Sequence, residues 1–440
     1  NSPYSLKLRG GLAAAVLALT GLTTAQAEDW PEPVIPKPFG MQLKEHNKNE
    51  KNLDQLQELG IHVVRRGLLW HNVEKEKGVY DFSRYDELVN GVEERGMVLL
   101  ACLALNNEKL YPHVRKPEGR QAFINYTKAI MEHYKGKPII WEIWNEPNIR
   151  TFWGKHGKAN QRPYAEEYYN LVKALVPEMK KVDPNCLVLG GSVSGMWKDA
   201  WNWTEIIFEM GILETGIDGW SHHPYSLKRP EQQYDGYMRL REMFVKNGMP
   251  RDFPIVNSER GFSMKDLKST NPGGGDVDID YNTYGKKEAL PDYQAWHLVR
   301  QYLTDLLADV KFTIWYEWEG SSKEGFPIIQ NGKKTLAYFA CEHLIKELTG
   351  FRLEKRLELG EKNDFILSFR NGNQQKLVVW TSPTGQDSPD LTKKKELEIP
   401  VNATGQVTMT DVYGKETTTL PVKNGKITVT LEGGPQYITL

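Results

Sequence analysis

The sequence predicts a closed (β/α)8 TIM barrel followed by a small antiparallel β-sandwich. Three observations carry that reading. Between about residues 36 and 350, eight short runs rich in Val, Ile and Leu recur. Longer stretches with helical spacing separate them, and strand-then-helix repeated eight times is the sequence form of a parallel barrel. After Gly350 the period shortens to two and turn residues punctuate it. A doubly wound open sheet shares the alternation, but its Gly-rich phosphate turn is missing after the first run.

The predicted barrel strands are Gly40–Leu43, Val63–Gly67, Val98–Leu105, Ile139–Trp144, Leu187–Gly190, Gly219–His222, Ile255–Ser258 and Phe312–Tyr316. Amphipathic stretches lie between them, among them Arg84–Arg95, Gly119–Tyr134, Ala165–Lys181, Tyr234–Asn247 and Tyr293–Ala308. The later alternating runs are Phe365–Arg370, Lys376–Thr381, Glu396–Pro400, Val407–Thr410, Lys426–Leu431 and Gln436–Leu440. Turns such as Asn371-Gly372 and Asn424-Gly425 separate them. No Pro- or Ser-rich linker intervenes, so the second unit is expected to pack on the barrel. The organisation read from this is residues 1–27 as a leader, 28–350 as the barrel and 351–440 as the β-sandwich.

The leader reading rests on Lys7 and Arg9, the apolar run Gly10–Leu22 and the small-x-small site Ala25-Gln26-Ala27. It predicts export to the periplasm or beyond. The remaining chain has no apolar stretch long enough for a transmembrane helix. A formal net charge of -1 offers no basic surface for nucleic acid. Cys102, Cys186 and Cys341 are widely spaced and are expected to be buried free thiols. Thirteen Trp and twenty Tyr supply rings that could anchor the core or stack against sugars.

The strongest chemical signal is Trp141-Glu142-Ile143-Trp144-Asn145-Glu146-Pro147-Asn148, ending the fourth strand. Barrel active sites sit at the C-terminal ends of the strands. Strict alternation would put Glu142, Trp144 and Glu146 on one face, with Glu146 alone at the rim. The second signal is Pro254-Ile255-Val256-Asn257-Ser258-Glu259-Arg260-Gly261, a seventh strand ending in an acid. Glu146 and Glu259 would then face one another across the barrel mouth. Two carboxyl groups straddling a cleft are the minimum for glycoside hydrolysis: one protonates the leaving oxygen and the other attacks carbon or activates water.

These motifs resemble those of retaining clan A glycoside hydrolases, and family 39 and its relatives in particular. The resemblance covers the barrel, with Trp144-Asn145-Glu146-Pro147-Asn148 and Glu259 in the expected order. It implies that Glu146 is the acid/base, Glu259 the nucleophile, and Asn145 a partner of the sugar 2-hydroxyl. It also implies that Arg65, in Val64-Arg65-Arg66-Gly67, lies beside the nucleophile. From His222-His223-Pro224-Tyr225 it draws Tyr225 as a donor to Glu259 and His223 as a pocket wall; adjacent strand residues point to opposite faces, which makes His222 structural. From Trp315-Tyr316-Glu317-Trp318 it draws a sugar floor, Trp315 first and Trp318 second. Retention predicts carboxyl groups about 5–5.5 Å apart. An oligo- or polysaccharide substrate follows.

Other features of the chain have plainer readings. Trp153, in the loop after Glu146, is a candidate sugar-stacking platform or a loop anchor. Asp276, Asp278 and Asp280 lack the Gly and closing Glu of a calcium loop and read as solvated acids. No ligand cluster at metal spacing is evident, so neither metal nor cofactor is expected. Gly191-Ser192-Val193-Ser194-Gly195 places Val193 where a serine hydrolase needs its nucleophile. The Gly-rich stretch from Met264 to Pro291 follows Glu259 and is expected to shape access to the cleft. The alternative to an enzyme is a carbohydrate-binding protein on the same scaffold.

Overall fold

The computed structural model describes residues 29–225, 229–264, 290–323, 325–382 and 394–440. The predicted leader, the acidic run Asp276–Asp280 and most of the Met264–Pro291 stretch lie outside the described residues. Eight strands close into a parallel barrel. They are β1 (Phe39–Gln42), β2 (Val63–Leu69), β3 (Val98–Ala104), β4 (Ile139–Ile143), β5 (Leu187–Ser194), β6 (Gly219–His223), β7 (Ile255–Arg260) and β8 (Thr313–Trp315). Each predicted run contributes one strand, with ends shifted by a few residues. Among the described residues no helix is long and apolar enough to cross a membrane.

Helices α1 (Glu50–Leu59), α2 (Ser83–Glu94), α3 (Pro117–His133), α4 (Arg162–Val182), α5 (Lys198–Glu209), α6 (Gln232–Lys246), α7 (Leu290–Leu307) and α8 (Leu336–Leu348) surround the barrel. The first shows how local sequence sets them. Asn49 caps α1 by accepting from the Asn52 N–H, and Gly60 ends it in the left-handed region at φ 92°. Leu53, Leu56 and Leu59 bury one stripe on the barrel, each removal from water stabilising by roughly 1.5–3 kcal/mol.

Period two divides the strand side chains between lumen and helix layer. Val63, Leu100, Ile140, Leu187, Leu189, Val256, Phe312 and Ile314 form an apolar plug low in the lumen. Gly40 leaves room for it, since a Cβ there would lie 2.4 Å from the Ile314 side chain. Two residues further along their strands, on the same face, stand Arg65 and Glu142. The lumen thus turns polar towards its C-terminal mouth.

Beyond α8 the chain forms a six-stranded antiparallel sheet and a two-stranded one. The larger has the order β9 (Arg352–Arg356), β10 (Asp364–Asn371), β11 (Gln374–Thr381), β16 (Gln436–Thr439), β13 (Gln406–Thr410), β14 (Thr417–Pro421). The smaller pairs β12 (Lys395–Pro400) with β15 (Lys426–Leu431). β9 and β14 had no predicted counterpart, because their Lys-, Arg- and Thr-rich sequences lack buried alternation. Along β10, Phe365, Leu367 and Phe369 join the barrel's apolar core, while Ile366 joins the sandwich's own. The junction is also polar. Arg300 of α7 makes two bonds of 2.5 and 2.7 Å to buried Glu231, which accepts from Trp380 Nε1 at 2.9 Å.

Candidate active site

Arg65 sits at the centre of the polar mouth. Its guanidinium donates to Glu142 at 2.8 Å, Gln42 at 3.0 Å, Glu259 at 2.7 Å and Asn145 at 2.9 Å. Burial works against its charge, but the carboxylates of Glu142 and Glu259 outweigh that and hold its pKa above the ordinary arginine value. Glu142, fully buried, is likewise kept below the ordinary carboxylate value by Arg65 despite its burial. Tyr225 donates to the other oxygen of Glu259 at 3.0 Å. Burial first, and the Glu259 charge second, push its phenol well up, so it stays a donor.

Glu146 stands across the cleft. Its Oε1 lies 3.0 Å from Nδ1 of fully buried His223, whose Nε2 lies 3.1 Å from Ser192 Oγ. His222 points the other way. It meets the Gly195 carbonyl at 2.7 Å and stacks on Trp201, and burial takes its pKa down to about 3. One carboxylate oxygen of Glu146, one ring nitrogen of His223 and one carboxylate oxygen of Glu259 all lie within 4.8 Å of one another. Two carboxylates and an imidazole are also a donor set a divalent cation could use, and among the described residues this trio is the grouping close enough to hold one.

Two bulges aim these groups. In β7 three steps, Asn257 to Arg260, run against two in β8, Thr313 to Trp315. Asn257 therefore bonds Asp305 on α7 at 2.7 Å, outside the barrel, while Glu259 reaches Arg65 inside. Without the extra residue both would share a face. In β5 three steps, Gly190 to Val193, run against two in β6, with Gly191 at φ 104° and Ser192 at φ 51°. A Cβ on Gly191 would lie 2.5 Å from the Ser221 carbonyl. Trp144 and Glu146 are also left-handed, at φ 71° and 50°. The Asn148 side chain then fastens the acidic loop to Ser194 with bonds of 2.9 and 2.8 Å.

The structure brings Arg65, Asn145, Glu146, His223, Tyr225 and Glu259 together, corrects three expectations about tryptophans and decides a fourth, Trp153, in favour of a loop anchor. Trp153 is no stacking platform. It is fully buried, donates to Glu167 at 3.0 Å and packs edge-on to Trp144 and Tyr168. Trp144 leaves the face of Glu142, because its positive φ turns the ring out against Phe123 and Trp153. Trp315 is not the sugar floor. It is fully buried with its ring 6.1 Å from His297 of α7, on the helix side. Trp318 is also fully buried, donating to Asn52 of α1 at 2.7 Å.

An aromatic residue near the mouth is Tyr316, half-buried and 5.3 Å from Phe326, which packs edge-on to Tyr225. It sits inside the quoted Trp-Tyr-Glu-Trp motif, and only strand parity at the end of β8 could have singled it out. On the same face, between the loops after β2, β3 and β4, lies a groove of about 600 Å3, bordered by His71, Leu105, Asn106, Lys109 and Phe152.

This combination, opposed acids after β4 and β7 with a cation from β2, decides the likeness. The chain resembles the clan A glycoside hydrolases. Residues 30–236 match the family described as Cellulase (glycosyl hydrolase family 5). A β-xylosidase of Geobacillus stearothermophilus is 28% identical over 33% of this chain and 29% of its own length. Endo-1,4-β-xylanase A of Humicola insolens is 24% identical over 32% of this chain and 38% of its own. The matched region thus spans about a third of the length of these relatives. In overall fold, a family 39 glycoside hydrolase of Bacteroides cellulosilyticus superimposes with a TM-score of 0.72 at 18% identity, covering 94% of this chain and 82% of the other. A monomeric β-xylosidase of Caulobacter crescentus gives 0.63 at 15%, covering 91% and 95%. The first of these matches the barrel together with its C-terminal antiparallel sheets.

Proposed function

We propose that the chain is a retaining glycoside hydrolase working by double displacement, with Glu259 as nucleophile and Glu146 as acid/base. One observation carries this: oxygens of the two carboxylates approach within 4.8 Å. That fits the ~5–5.5 Å carboxyl separation of retaining enzymes better than the ~6.5–9.5 Å of inverting ones. The environments match the roles. Arg65 gives Glu259 a cation at 2.7 Å, suited to a carboxylate that attacks, while Tyr225 orients its second oxygen. Glu146 meets an imidazole instead.

In the first step Glu259 bonds to the anomeric carbon as the glycosidic bond breaks, and the leaving oxygen takes the proton of Glu146. In the second, Glu146 takes a proton from water. The water oxygen bonds to the anomeric carbon, and the ester to Glu259 breaks. Asn145, held by Arg65 at 2.9 Å, has an amide to offer the sugar 2-hydroxyl, and Tyr316 borders the ring. The 600 Å3 groove has space for further sugar units, which favours an oligo- or polysaccharide. The β-xylosidase and xylanase relatives make β-xylosides the first substrates to try. The basic, apolar N-terminal stretch supports export as the setting of this activity.

The test is a panel of aryl β-xylosides, β-glucosides, α-arabinosides and β-glucuronides, with the anomer of the first-formed product read by proton NMR. Retention is expected. Glu259→Ala should lower kcat by more than ~10⁴-fold and recover with azide. Inverted product, or unchanged turnover by Glu259→Ala, would end this reading. Saccharide binding with no turnover across the panel would favour a binding protein instead.

A further inference from the structure

Gly191-Ser192-Val193-Ser194-Gly195 has no nucleophile at its centre, yet the fold gives Ser192 a defined place. Ser192 is fully buried in the β5 bulge and touches the acidic residue by two routes. Its carbonyl accepts the Glu146 N–H at 3.0 Å. Its hydroxyl lies 3.1 Å from His223 Nε2, and His223 Nδ1 lies 3.0 Å from Glu146 Oε1. Backbone and side chains thus close a ring around the acid. Ser192 also sits at φ 51°, a region that glycine enters freely and other residues enter at a cost. A serine kept where glycine would be easier points to its hydroxyl.

On the reading of Glu146 as acid/base, we propose that Ser192 is a positioning residue for that proton donor, acting through His223. A neutral imidazole carries one N–H. When the Ser192 hydroxyl donates to Nε2, the imidazole proton sits on Nδ1 and points at Glu146 Oε1. That oxygen is then occupied as an acceptor, and the transferable proton rides on Oε2, towards the cleft. Without the hydroxyl, a proton on Nε2 would leave the Nδ1 lone pair facing the carboxylate, and the carboxyl group would lose its orientation. Ser192 touches no reacting atom, so its effect is confined to proton donation.

The test uses Ser192→Gly, which removes the hydroxyl and suits the backbone. The probes are the 2,4-dinitrophenyl and 4-methoxyphenyl glycosides of the sugar that the panel selects. The first leaves without a proton and the second needs one. Ser192→Gly should keep its Tm and its KM values. It should lose ~10- to 100-fold in kcat on the methoxyphenyl glycoside and less than about twofold on the dinitrophenyl one, a part of the effect of a full general acid. Ser192→Ala should show the same split. Nitrogen-15 spectra of His-labelled protein should show a protonated Nδ1 at His223 that the variants lose. Equal losses on both probes, or none, would overturn the proposal. Glu146→Ala keeps the two readings apart: if it also fails to separate the probes, the acid/base reading falls with this one. If it separates them and Ser192→Gly does not, only the role of Ser192 falls.

Discussion

On the β7 side of the cleft Glu259 is gripped by a guanidinium and a phenol. On the β4 side Glu146 meets an imidazole and hangs by its own backbone from β5. The first hold is a charged clamp. Arg65 serves Glu142 and Glu259 at once, so removing it strands two carboxylates in the barrel. The second is a string of groups that donate and accept, and it can lose a member without leaving a buried charge. One cleft thus carries two chemically distinct carboxylates on a single scaffold, the condition for dividing attack from protonation.

The largest expected effect tests the clamp. Arg65→Met should destabilise the fold by ~3–5 kcal/mol, the usual result of breaking a buried ion pair, and abolish turnover. Urea denaturation checks it. Stability within 1 kcal/mol of the parent on that ~3–5 scale would mean that Glu142 and Glu259 do not depend on the cation.

The next concerns what stands behind the β4 wall. Trp153→Ala should cost ~3–5 kcal/mol, the range for emptying a buried Trp site, with little change in KM once folded at low temperature. A raised KM at unchanged Tm would restore Trp153 to the sugar.

The smallest concerns the region behind β7, where Asp305 accepts from Asn257 at 2.7 Å and Gln233 at 2.8 Å. Burial raises its carboxyl from the ordinary 3.8 to about 7, against the pull of those hydrogen bonds. The folded chain then holds this proton more tightly than the unfolded chain. The resulting stability is fully present below the unfolded value and is lost as pH rises through about 7. Asp305→Asn, with Gln233 turning its amide over, should flatten that decline between pH 4 and 7. Thermal melts across the range read it out, and an unchanged slope would show that Asp305 is ionised throughout.

Much of this was legible in the chain. The eight strands announce themselves because barrel strands buried on both faces must be runs of Val, Ile and Leu. Glu146 and Glu259 are visible because each stands at the C-terminal end of such a run, where barrel active sites are built. The tryptophans were not legible. Trp153, Trp315 and Trp318 are apolar enough for the core and large enough for a sugar, and composition does not separate the two uses. At the end of β8 the choice between Trp315 and Tyr316 depends on parity alone, and parity placed the smaller ring at the mouth.

By itself, then, the sequence determined the barrel, the antiparallel unit after it and the strand ends that carry Glu146 and Glu259, since periodicity and strand-end position are local properties. Only the tertiary structure decided which way those residues face. An extra residue in β7 and another in β5 reverse the parity of everything beyond them, and a bulge leaves no mark in hydrophobic pattern. Contacts such as Arg65 with Glu259, 194 residues apart, arise only when the barrel closes.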